Sequence, residues 1–140
     1  MRTIKTENDI HALKKAAVLT PSLLDFLEVE LQKLIEAFGD LEIERPLDLM
    51  EYGYIVLLEP GDNVRDLREV GLDWVDQGLL GSLPEFVERE RLSDGTEIYR
   101  IGVLYDNDYM MIFLSLAGSH DAEVEAWLAE ETQNFMRSRQ

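Results

Sequence analysis

The chain has 140 residues and no cysteine, and 29 acidic against 13 basic side chains give it a formal charge of −16. The missing cysteine excludes disulfide scaffolds, cysteine-ligated zinc, iron–sulfur clusters and thiol catalysis. The charge opposes direct binding to nucleic acid or anionic lipid, because like charges repel.

A hydrophobic content of 46% is enough for one core, so a single globular domain over 1–140 is expected. No apolar run approaches the length of a membrane span. The N-terminus turns acidic where a secretory signal would be apolar. A soluble cytoplasmic protein follows as the expectation. Basic residues are unevenly placed: none occurs from Ile101 to Met136, and the lysines Lys5, Lys14, Lys15 and Lys33 all fall in the first quarter.

Thr6-Glu-Asn-Asp9 opens a first helix, with Thr6 as cap and two acids suited to the positive end of the helix dipole. Ile10, Leu13, Ala16 and Ala17 follow at helical spacing. Thr20-Pro21 starts a second helix, because proline at the first helical position gives up an N–H that would be unbonded anyway. Leu24, Leu27, Leu31, Leu34 and Phe38 form its apolar stripe, opposite Asp25, Glu28, Gln32 and Glu36. Gly39 is a left-handed stop.

Residues 40–51 read as an acidic connector broken by Pro46. Tyr52–Glu59 is a strand by its β-branched and aromatic content. Pro60-Gly61 predicts a type II turn, and Asp62-Asn63 a cap for a short helix carrying Val64 and Leu67. The stretch 69–84 mixes Gly71, Gly78 and Gly81 with Leu72, Trp74, Val75, Leu79, Leu80 and Leu83. A connection this long is uncommon in a small domain, and its apolar content predicts a wrap over the sheet or a lid over a pocket.

Glu85–Leu92 is a charged strand suited to a sheet edge. Asp94-Gly95 predicts a two-residue type I′ hairpin into Glu97–Tyr105, whose Tyr99, Ile101, Val103 and Tyr105 form the expected core face. Asp106-Asn107-Asp108 turns the chain into Tyr109–Leu116, which is apolar on both faces and therefore needs cover on both sides. Gly118-Ser119 leads into a last helix, capped by Ser119 or Asp121, with Val124, Trp127, Leu128, Phe135 and Met136 as its buried stripe.

Few constellations carry chemistry. Ser119-His120-Asp121 holds the residue types of a hydrolase triad, but neighbours at a helix start diverge by roughly 100° each. His11 and His120 lack metal-ligand spacing. Asp106 and Asp108 are what a tight turn wants. Gly78-Leu-Leu-Gly81-Ser82 lacks the lysine of a phosphate loop. Trp74, with Leu79, Leu80 and Phe86, supplies the candidate contact residues, as the lining of an apolar pocket or a partner-binding patch, since tryptophan is enriched in binding hot spots.

The expected fold is α+β: two N-terminal helices, a four-stranded, mainly antiparallel sheet ending in a β-meander, and one C-terminal helix. The helices would cover one sheet face and the 69–84 wrap the other. No cofactor is expected. The function expected is a small acidic, non-enzymatic protein-binding domain of inhibitor, immunity or adaptor type. The alternatives are a nucleic-acid mimic occupying a basic protein, and a small-ligand binder or enzyme with a pocket under loop 69–84. The partner expected is another protein, and an exposed apolar face at 69–84 would favour a homodimer.

Overall fold

In the computed structural model the described residues are 1–38, 53–66, 68, 78–81, 84–105 and 109–138. Their elements in chain order are β1 (Arg2–Ile4), α1 (Glu7–Ala16), α2 (Pro21–Phe38), β2 (Gly53–Leu58), β3 (Phe86–Arg91), β4 (Glu97–Tyr105), β5 (Tyr109–Leu116) and α3 (Ala122–Ser138), with one 3-10 turn at Leu79–Gly81. The sheet order is β1-β2-β5-β4-β3. β2 and β5 run parallel, and the other neighbours are antiparallel.

Local chemistry sets the helix ends. The Asp9 carboxylate accepts the N–H groups of Lys5 and Thr6 at 2.7 and 3.1 Å, holding the start of α1. Ala17 stops that helix in the left-handed conformation, φ 54°, with its N–H turned back to the Leu13 carbonyl at 3.2 Å. Thr20 Oγ1 accepts the Leu23 N–H at 3.3 Å, so the threonine–proline start of α2 is used as the sequence implies. Gly39 lies outside the described residues.

Two cores result, one on each face of the sheet. On one face, Ile10, Leu13, Leu24, Leu27 and Leu31 of α1 and α2 pack on Ile55, Leu57, Ile98, Ile112 and Leu114. On the other, Val124 and Leu128 of α3 join Val64 and Leu79 against Val56, Val87, Ile101, Met111 and Phe113. The result is a helix–sheet–helix sandwich of class α+β.

Several expectations are corrected. The sheet has five strands, because Arg2–Ile4 adds antiparallel to β2, and it is mixed, because β2 pairs parallel with β5. The second face is covered by α3 with Val64, and Leu79 and Leu80 of the expected 69–84 cover pack in the same core, so the helix shares a role expected of that stretch alone. Residues 69–77, Trp74 among them, lie outside the described set, as do 40–51 and the 106–108 turn.

β4 is buried on both faces: Ile98 is 1% exposed on the α1–α2 side and Ile101 is fully buried on the other. The meander 86–91, 97–105, 109–116 stands as expected. Its first hairpin has a three-residue loop: Gly95 donates to Leu92 O, Leu92 donates to Thr96 O, and Gly95 alone takes positive φ, at 90°. Asp94 stays at negative φ and its carboxylate accepts the Thr96 N–H, so a type I turn with a left-handed glycine replaces type I′. The Pro60-Gly61 turn does form, with Gly61 at φ 88° and Asp62 N–H on Glu59 O. Asp62-Asn63 is followed by a turn at Val64-Arg65, and Leu67 of the expected short helix lies outside the described residues. On α3, Met136 is 56% exposed instead of buried.

One charge sits inside. Glu30 of α2 is fully buried, and its Oε2 accepts Arg100 Nε of β4 at 2.6 Å. Arg100 also reaches Glu88 Oε2 at 3.4 Å and lies 4.5 Å over the Phe86 ring. Phe86 in turn lies across Gly102, its register partner, where an added Cβ would stand 2.2 Å from the ring. Removing one member of a buried pair leaves a charge undercompensated, and Lys33 Nζ, 3.5 Å from Glu30 Oε1 and itself exposed, offsets only part of the loss. Arg100→Ala is therefore expected to cost about 3–5 kcal/mol in urea unfolding, with Glu30→Leu/Arg100→Leu costing clearly less than the single change. Gly102→Ala should displace the Phe86 ring and cost about 1–3 kcal/mol, measured in the same way.

Candidate functional site

Three surface grooves stand out among the described residues. The first lies between α1 and α2, about 310 Å³, lined by Glu7, Ile10, His11, Glu28, Leu31 and Gln32. His11 is exposed there, and Glu28 is held by Lys14. No group of three or more histidine, aspartate or glutamate side chains in the described residues could hold a metal.

The second groove, about 320 Å³, lies at the start of α3 beside the turn that follows β2. It contains the Ser119-His120-Asp121 run, and the three side chains diverge. Ser119 Oγ donates to Leu116 O at 2.7 Å. Asp121 Oδ1 accepts the Val124 N–H at 3.0 Å as the helix cap, and its Oδ2 faces Arg65 at 3.4 Å. The Val124 N–H, followed by the Arg65 guanidinium, holds the Asp121 carboxyl below its usual range. Arg65 also binds Glu123 at 2.8 Å, and Glu125 reaches back to the N–H groups of Gly118 and His120.

His120 has a partner that the sequence did not suggest. Its Nε2 shares a 2.6 Å hydrogen bond with Ser115 Oγ. Ser115 is fully buried on the central strand, among apolar neighbours. A buried hydroxyl needs a partner, and the half-buried imidazole supplies it. A hydroxyl with no exposed surface does not meet a substrate, so the pair is structural chemistry. The only signal in the sequence was a lone serine in an otherwise apolar strand.

The third groove, about 270 Å³, lies between β3 and the C-terminal half of α3, lined by Val87, Glu88, Arg89, Glu90, Thr132, Phe135 and Met136. β3 ends the sheet, so no described strand lies beyond it. Its side chains alternate across two faces. Glu88 points with Phe86 toward Arg100 and the α1–α2 layer. Arg89 points to the α3 side, 5.4 Å over the Tyr99 ring and paired with Glu97, which Arg91 approaches at 3.5 Å. The Arg89 contact, with Arg91 adding to it, holds the Glu97 carboxyl below its usual range.

The sequence-derived contact residues are therefore separated. Leu79 is 1% exposed inside the α3-side core. Leu80 is half-buried against the same core, and Phe86 half-buried on the opposite face. Trp74 is outside the described residues. Among the described residues no helix is long and apolar enough to cross a membrane. No family model, curated protein or solved structure matches the chain.

Two outcomes test this geometry. His120→Ala leaves the Ser115 hydroxyl buried without its partner and should cost about 1–3 kcal/mol, whereas Ser115→Ala should cost less, because the imidazole can turn to water. Equal losses in urea unfolding would refute the asymmetry. Asp121 titrates below the ordinary aspartate value of 3.8 in the folded chain, so its stabilisation is full above that pH and fades as pH falls through the folded value. Asp121→Asn should therefore lower the urea midpoint at pH 7, and the deficit should shrink below about pH 4.

Proposed function

We propose that this chain is a non-enzymatic protein-binding domain whose docking face lies where β3 meets α3. The observation that carries the reading is the apolar floor of that groove. Val87, Phe135 and Met136 line it, and Met136 is 56% exposed on a helix that otherwise buries its large apolar residues wholly or in part. An exposed apolar group beside a sheet edge is a recurrent feature of protein contact surfaces.

The charge supports a partner with basic residues. Arg2, Lys14, Lys33, Arg65, Arg68, Arg89, Arg91 and Arg100 are all held in intramolecular ion pairs. Each pair neutralises an acid as well as a base, and the net charge of −16 leaves acids in excess on what a partner meets. The described acids occupy both helical layers, with Glu7, Asp25 and Glu36 on one and Glu123 and Glu130 on the other. That spread favours an acidic binding domain over an imitation of one phosphate row. Leu80 and Phe86 keep exposed surface and remain candidate contacts; Leu79 does not.

The test compares the native chain with Met136→Glu, each immobilised and presented with an extract of the source cell. An exposed substitution of this kind leaves folding nearly unchanged. The native chain is expected to retain a specific protein that the variant binds at least tenfold more weakly. Recovery of nothing above background by the native chain would overturn the proposal.

A further inference from the structure

β3 ends the sheet and carries Glu88-Arg89-Glu90-Arg91, four charges of alternating sign. Alternation along a strand has period two, and so do its faces. Each face therefore holds one sign: Glu88 and Glu90 on the α1–α2 side, Arg89 and Arg91 on the α3 side.

That placement decides which strand can be added. A second copy joining at β3 must be antiparallel, related by a two-fold axis perpendicular to the sheet. Such an axis keeps each face on its own side. Residues directly opposite one another share a face, so cross-strand neighbours come from the same set. With Arg89 opposite Arg89, Glu88 meets Glu90. With Glu90 opposite Glu90, Arg89 meets Arg91. Within Phe86–Arg91 no two-fold register sets an acid against a base, and like charges directly opposite destabilise a pair. A strand from another protein has no such restriction.

Resting on the protein-binding reading above, we propose that β3 takes an extended segment of a different protein by strand addition and refuses a second copy of this chain. The segment has basic residues opposite Glu88 and Glu90, acidic residues opposite Arg89 and Arg91, and an apolar residue opposite Val87, beside Phe135 and Met136. Backbone hydrogen bonds hold the added strand, and alternate side chains select it.

Three measurements test this. The first is titration of the native chain with the synthetic peptide Thr-Glu-Lys-Glu-Lys-Leu-Thr and with Thr-Glu-Glu-Lys-Lys-Leu-Thr, which has the same composition. The alternating peptide should bind at least tenfold more tightly and weaken as salt rises; equal binding, or none, overturns the proposal. The second is sedimentation of the native chain, which should be monomeric. A dimer disrupted by changes in β3 would overturn the refusal of self-pairing.

The third is sedimentation of the triple variant Arg89→Thr/Glu90→Thr/Arg91→Thr. It should self-associate with rising concentration, while Arg89→Lys/Glu90→Asp/Arg91→Lys should stay monomeric. A monomeric triple variant shows that charge is not what prevents pairing. If the peptides fail while Met136→Glu still abolishes partner capture, strand addition falls and the protein-binding reading stands. If both fail, the two fall together.

Discussion

The whole architecture depends on β5 being buried on both faces. Ile112 and Leu114 point to one helical layer, and Met111 and Phe113 to the other, all within 3% exposure. A strand of that kind is stable only at the centre of a sheet with cover above and below. It therefore requires β2 on one side, β4 on the other, α1 and α2 over one face and α3 over the second. Ser115 is the one polar side chain tolerated on this strand's α3-side face among the described residues, and it is tolerated because the chain bends back to place His120 over it.

The α1–α2 face carries a second polar inclusion. Glu30 points inward from a leucine-rich helix and is met by Arg100 from the sheet. Buried ion pairs contribute little net stability, since desolvation offsets attraction. Their geometry is nevertheless demanding. Arg100 is clamped between a carboxylate on each side and the Phe86 ring, and Phe86 needs the bare backbone of Gly102. The set fixes how α2 sits on β3 and β4, because a slip of one residue would strand both charges.

Much of this fold was legible. The threonine–proline start, the apolar stripe of α2 and the meander all follow from local rules that act within a few residues. What was missed depends on distant partners. β1 is three residues long, too short to show a period, and exists because β2 has a free edge. The second cover was given wholly to the 69–84 stretch, whose Leu79 is in that core, and the share of α3 was missed, because one strand's pattern shows that a face is buried but not by what. Glu30 lies 70 residues from Arg100, so nothing near it signalled burial. The hairpin at Asp94-Gly95 was placed correctly and mistyped, because Asp-Gly suits both a type I′ turn and the last two positions of a three-residue loop. Of the candidate contacts, the strand bearing Phe86 was recognised as an edge, while the groove beside it required knowing where α3 lands.

The parallel pairing of β2 with β5 has a consequence for how the chain acquires its shape. It joins Ile55 to Ile112 and Val56 to Phe113, residues far apart in sequence, whereas the β3–β4 and β4–β5 ladders close through short connections. Closing a long loop costs more entropy than closing a short one, and that cost precedes the contacts that repay it. The C-terminal meander can therefore form while the N-terminal half is still unfolded, with the apolar outer edge of β5 uncovered until β2 arrives. The acidic charge also keeps such half-made chains apart, since their strongest mutual force at a distance is repulsion.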